Sequence, residues 1–131
     1  MAIPENVDLV REFYRAGPSD DDASRSRFAV PEVVWHVPGD NPVAGRYVGY
    51  DQVFSGIGRR MQRLDEWTIE VREVMGNDDM VCSIVDLVAA RGDHRVVCQG
   101  SHLFRFTPDA RIAEVWGFVA DQAGLDELFR S

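Results

Sequence analysis

The chain has 131 residues, 45% hydrophobic and 27% charged, which suits one domain with a core of its own. Fourteen basic against 22 acidic residues leave a formal charge of −8, and this argues against nucleic-acid or anionic-membrane partners, both of which need a basic face. No stretch approaches the roughly 18 apolar residues of a membrane span. The start MAIPENVDLV lacks a basic segment followed by an apolar one, so a soluble, cytoplasmic protein is expected. Cys82 and Cys98 sit in apolar runs without metal-ligand spacing and read as reduced core residues; no metal site is expected.

In chain order, Val7, Val10, Phe13 and Tyr14 recur at helical spacing between Asn6 and Ala16. Gly17-Pro18-Ser19 ends that helix, and Ser19 or Asp20 can cap a second one from Asp21 to Phe28. Pro31 opens a short strand, Glu32 to Val37, followed by a turn-rich stretch over 38–49. Val53, Phe54, Ile57 and Met61 share one face of a helix from Tyr50 to Leu64, weakened by Gly56 and Gly58. From Trp67 the period becomes two, with a bulge near Val74. Three further strands, Met80 to Ala90, His94 to Phe106 and Arg111 to Ala120, follow tight turns, and Asp121 to Arg130 closes the chain as a helix.

Long consecutive strands joined by hairpins imply an antiparallel sheet and an α+β fold in a single domain over 1–131. The strand Met80 to Ala90 is apolar on both faces, Val81/Ser83/Val85/Leu87/Ala89 and Cys82/Ile84/Asp86/Val88/Ala90. A sheet apolar on both sides has to be covered on both sides. The helices can cover one, so a homodimer through the outer face is expected. Asp86, within that outer apolar run, needs a partner such as an arginine.

The segment WHVPGDNPVAGRYVG, the ending RFTPDARIAEVW and their order along the chain resemble the nuclear transport factor 2-like superfamily. Within it, the chain looks most similar to the SnoaL-like polyketide cyclases and the ketosteroid isomerases. The resemblance covers essentially the whole chain. It implies a cone-shaped, curved antiparallel sheet wrapped around N-terminal helices and enclosing an apolar pocket. It implies equally a cofactor-independent enzyme that isomerises or cyclises a polyketide- or steroid-like carbonyl compound by acid/base chemistry. The same fold also hosts non-catalytic binding or dimerisation modules, hydrolases and dehydratases, so fold alone does not supply the reaction.

The resemblance places His36 where the isomerases carry their proton-moving aspartate, and His102 where they carry the oxyanion-stabilising one. Tyr14 lies on the helix of the isomerase tyrosine, about a turn from its position. Each histidine has a bland reading beside the chemical one. His36 is a proton carrier or a structural histidine bonded to a turn carbonyl. His102 is an oxyanion stabiliser or a core histidine with a neighbouring polar partner. If His102 points into the pocket, Cys98, Gly100 and Phe104 do too, while His36 shares its face with Val34. Val34, Phe54, Val85 and Phe104 are the expected apolar contacts of a small organic ligand. Glu114 and Trp116 share a strand face that lines either the pocket or the dimer contact, and Asp121 reads as a helix N-cap or as a pocket acid. His94, in a hairpin turn, carries no expected function. Gly58-Arg59-Arg60 reads as a solvated helix face, and Asn41 and Arg46 as rim residues.

Overall fold

The computed structural model describes residues 5–17 and 21–130, and the account of the structure concerns those. Helix α1 (Glu5–Ala16) buries Val7 and Val10 and turns Phe13 and Tyr14 inward on the same face. The expected caps Ser19 and Asp20 lie outside the described residues. Asp21, expected inside helix α2 (Asp22–Phe28), is its N-cap, its carboxylate accepting the Ala23 N–H at 3.1 Å.

Strand β1 (Ala29–Val37) begins before Pro31, which has no N–H to donate; its pairing shifts between Ala29 and Val34. A four-residue strand, β2 (Gly45–Val48), occupies part of the expected turn region. It is too short to carry a period-two signal. The expected helix over 50–64 is instead a wide π-helical turn (Asp51–Gly56), where Ile57 N–H reaches the Gln52 carbonyl, followed by helix α3 (Ile57–Met61). Gly56 and Gly58 hold a regular helix weakly, which suits a local change of winding.

Strands β3 (Glu66–Gly76), β4 (Met80–Arg91), β5 (His94–Phe106) and β6 (Ile112–Val119) complete one six-stranded sheet of order β2-β1-β6-β5-β4-β3. The β3–β4 register shifts between Val71 and Glu73, next to the bulge expected at Val74. The sheet is not wholly antiparallel: β1 and β6 run parallel. The hairpin β5–β6 returns the chain beside β1 in β1's own direction, a pairing that hairpin counting does not reveal. Helix α4 (Gln122–Arg130) then folds back onto β4 and β5.

The sheet's two faces are unequal. Val81, Ser83, Val85, Leu87 and Ala89 are all buried on the inner face, whereas Cys82, Ile84, Asp86, Val88 and Ala90 are only half-buried. The inner face carries two apolar clusters. One joins Val7 and Val10 of α1 to Val33, Phe104 and Val115; the other joins Leu125, Leu128 and Phe129 of α4 to Val43, Leu87 and Val96. Burying each large side chain contributes about 1.5–3 kcal/mol. Val37 touches both clusters, and between them the inward residues Trp35, Ile69, Cys98 and His102 stay half-buried. That interval keeps part of its inner surface accessible.

The loop after β1 walls one end of it. Asn41 Oδ1 accepts from the N–H groups of Val43 and Ala44, and its amide donates to Asp126 on α4 at 2.6 Å. Gly39 adopts φ +110°, and a Cβ there would lie 2.2 Å from Asp126 Oδ1, so only glycine fits. Burial works to raise the Asp126 pKa, but hydrogen bonds from Asn41 and Gln122 outweigh it and hold the carboxyl below its ordinary value.

Candidate functional site

His102 stands on the inner face of β5, paired with Ser83 of β4 on one side and Gly117 of β6 on the other. Its Nδ1 meets the Tyr14 hydroxyl at 2.5 Å, and that hydroxyl also meets Ser83 Oγ at 2.7 Å. Helix α1 delivers Tyr14 because Val7, Val10 and Tyr14 recur on its buried face. Trp35, Tyr14 and Phe104 surround the imidazole with ring centroids 5.2, 5.8 and 5.9 Å away. Phe13 ties this wall together by contacts with Phe28, Trp35, Phe54 and Phe104.

This environment fixes the charge. Burial alone pushes the His102 pKa from 6.5 down to about 4, so the imidazole is neutral at physiological pH. Burial also raises the Tyr14 pKa, against the opposing Ser83 hydrogen bond, and keeps the phenol protonated. Ser83 Oγ lies 2.7 Å from the Tyr14 oxygen but 3.4 Å from the His102 carbonyl, so its proton is better directed at Tyr14. Tyr14 then donates to Nδ1, and the ring proton resides on Nε2.

Nε2 has no hydrogen-bond partner among the described residues, yet no buried side-chain nitrogen or oxygen there lacks one. Nε2 therefore borders accessible space. Two glycines let neighbouring groups pack closely around the ring's strands. A Cβ on Gly117 would sit 3.6 Å from His102 Cδ2, the ring carbon next to Nε2, and 3.1 Å from Pro38 Cδ. A Cβ on Gly100, two residues before His102, would lie 3.1 Å from the Phe118 carbonyl oxygen and 3.5 Å from Val85 Cγ2. The arrangement presents one N–H donor among aromatic rings, backed by the hydroxyls of Tyr14 and Ser83.

His36 is elsewhere. It pairs with Trp116 of the parallel strand β6, in the register that pairs Val34 with Glu114, and all four side chains alternate away from the inner-facing Trp35 and Val115. Its Nε2 bonds Glu114 at 2.6 Å, Arg105 bonds the other carboxylate oxygen at 3.3 Å, and the ring stacks on Trp116 at 5.4 Å. The hydrogen bond from His36 leads the causes that lower the Glu114 pKa. The expected pairing of His36 and His102 in one pocket is therefore corrected, and Val34 is not an inner-wall residue. The physical reason is strand parity, which turns adjacent residues to opposite faces.

The remaining candidates separate cleanly. Val85 and Phe104 lie on the inner face, and Phe54 is buried beside Phe13. Glu114 and Trp116 belong to the outer face with His36. Asp121 caps α4, accepting the Gly124 N–H at 3.0 Å from an exposed position. Asp86 pairs with Arg72 on the outer face at 2.7 Å, as expected of an acid in an apolar run. Cys82 and Cys98 are free thiols on opposite faces, half-buried rather than deep in the core. Tyr14 enters the site directly despite its displaced position. Ser83 and Trp35 were not anticipated; a serine at an inward position of an otherwise apolar strand was the signal for the first.

No group of three or more His, Cys, Asp or Glu side chains among the described residues could hold a metal ion, and no helix there is long and apolar enough to cross a membrane. Comparison with known proteins agrees with the fold. Residues 10–115 match the model of the SnoaL-like domain. The uncharacterized protein Rv0034 of Mycobacterium tuberculosis is 28% identical over 131 residues, spanning 98% of this chain and 99% of its own. Bal32a, from a soil-derived mobile gene cassette, superposes with a TM-score of 0.82 at 26% identity, over 95% of this chain and 96% of its own. TerC, co-crystallized with polyporic acid, shares the fold with a TM-score of 0.74 at 17% identity, over 96% and 98% of the two chains.

Proposed function

The chain belongs to the SnoaL-like domain family, and we propose that its cleft binds a small, largely apolar carbonyl compound and promotes an intramolecular aldol-type cyclisation. The observation that carries this reading is the neutral His102 whose Nε2 faces accessible space while Nδ1 is held by Tyr14. A neutral N–H aimed at a carbonyl oxygen favours the negative charge that develops there during carbon–carbon bond formation. A single imidazole can close the proton balance when the substrate reacts as an enol. The enol carbon attacks the ketone carbon, and Nε2–H gives its proton to the new alkoxide. As the enol becomes a ketone, its hydroxyl proton returns to Nε2. Steroid-type isomerisation needs a separate base strong enough to remove a carbon-bound proton. A histidine with a pKa near 4 is poor at that, and His36 is on the other face.

The second part of the proposal is a homodimer through the outer face. Val97 and Phe118 are 67% and 56% exposed there, beside half-buried Ile84, Val88, Leu103 and Trp116, while the helices pack on the inner side. A second copy of the same patch matches it in apolar character.

The test is turnover of a linear 1,3-dicarbonyl probe able to cyclise, read beside the infrared carbonyl stretch of the bound, unreactive methyl-blocked analogue. His102→Phe is expected to lower the rate by about 10²–10⁴-fold and to remove the red shift of the bound carbonyl, whereas His36→Phe leaves both within a few-fold. If the analogue binds but the native protein does not turn over the reactive probe, the cleft is a binding module. Equal rates for native protein and His102→Phe would sink the mechanism.

A further inference from the structure

Away from the cleft, the edge strand β2 and the turn leading into α3 bound a surface recess of about 530 Å³, lined by Gly45, Arg46, Tyr47, Gln52, Arg59 and Arg60. Its lining carries three guanidinium groups and no carboxylate, on a chain whose net charge is −8 and whose basic residues are all arginine. Many other arginines are paired: Arg25, Arg27, Arg72, Arg95, Arg105, Arg111 and Arg130 each contact an Asp or Glu. Among the described residues Arg46, Arg59 and Arg60 have no such partner. An acidic protein that leaves three cations together and unpaired has concentrated positive potential at one place.

The recess also has ordered donors. Arg60 lies over the Tyr47 ring at 5.4 Å and bonds its hydroxyl at 3.3 Å, while that hydroxyl is anchored on the Val43 carbonyl. Gln52 Oε1 accepts the Val48 N–H at 2.7 Å, which fixes the side chain and leaves its amide NH₂ free to donate. The same bond shows that the Val48 N–H points off the free edge of β2, away from β1. Alternate N–H groups of a strand point the same way, so the Arg46 N–H is also on that edge, where no backbone bond takes it.

We propose that this recess binds the phosphate group of a small phosphorylated molecule. A tetrahedral dianion offers enough acceptor positions for three guanidiniums, an amide and a backbone N–H, whereas a single carboxylate is satisfied by one bidentate arginine. The bounded volume and the overall negative charge select a small molecule over a nucleic-acid strand. This site is independent of the His102 chemistry.

The experiment follows the backbone and Gln52 side-chain amide signals of the full chain by nuclear magnetic resonance during titration with inorganic phosphate and with a sugar phosphate, at constant ionic strength. Saturable shifts at Gly45–Tyr47 and Gln52 are expected, with the sugar phosphate binding at least as tightly as the inorganic ion. The Arg46→Gln/Arg59→Gln double variant removes two exposed side chains without a carboxylate partner, so it is expected to keep the native circular-dichroism spectrum. It should weaken binding by about tenfold or more. The proposal is overturned by the absence of saturable shifts, by equal affinity in the double variant, or by benzoate binding as tightly as phosphate. Tighter binding of a single-stranded oligonucleotide than of the sugar phosphate would also overturn it.

Discussion

His36 and His102 set the two faces of one sheet side by side. Both stand on strands beside aromatic rings, and the sequence made both candidates for proton chemistry. On the outer face His36 is held by Glu114, which Arg105 also contacts, and it lies flat on Trp116. On the inner face His102 has only hydroxyl partners, and an apolar wall strips its charge. The difference teaches that residue type and position along a strand do not determine what an imidazole can do. The face does, because it decides whether the partner is a carboxylate in reach of water or a phenol in an apolar cleft.

The comparison can be broken most sharply through acid stability. A histidine whose folded pKa is about 4 against 6.5 binds its proton earlier in the unfolded chain. Unfolding therefore takes up a proton between these values, and stability falls as pH drops from about 7 toward 4. For this one group the loss is about 3 kcal/mol. Glu114 and Asp126, whose pKa values are lowered by their hydrogen bonds, add losses in the same direction at the acidic end. Urea midpoints at several pH values should thus show a steep acid-side decline in the native protein, shallower by that amount in His102→Phe. In His36→Phe the His102 part of the decline should be kept, while the Glu114 part at the acidic end shrinks with the lost His36 hydrogen bond. Equal slopes in all three proteins would mean that His102 is not held neutral by burial.

A smaller effect, on the other face, tests the dimer. Phe118→Asp puts a charge into the exposed apolar patch and should raise the dimer dissociation constant by about thirtyfold or more in sedimentation equilibrium. The His102 environment should be unchanged. A native protein that sediments as a monomer at every concentration would remove the dimer and leave the cleft argument standing.

Much of the fold was legible because it rests on periodicity. The long strands, the inward face Val81/Ser83/Val85/Leu87/Ala89 and the closing helix all follow from apolar spacing, which burial enforces directly. Strand β2 and the π-helical turn were not legible, since four residues carry no period and a change of winding leaves no pattern. The parallel pairing of β1 with β6 depends on where the chain returns, which is a tertiary fact. The same limit explains the site. His102 was found from resemblance, and alternation correctly grouped it with Gly100 and Phe104. Alternation within β1 separated His36 from Trp35 but could not say which of them faced inward. Only the register with β6 decides that Trp35 does.

The account rests on the proton position in His102, and nitrogen-15 resonance of the imidazole reads it directly. The expected spectrum is a neutral ring with its proton on Nε2 and an acceptor-type Nδ1, unchanged from pH 8 to pH 5 and altered at Nδ1 by Tyr14→Phe. A proton on Nδ1 at neutral pH, or a titration centred near the ordinary value of 6.5, would contradict the mechanism.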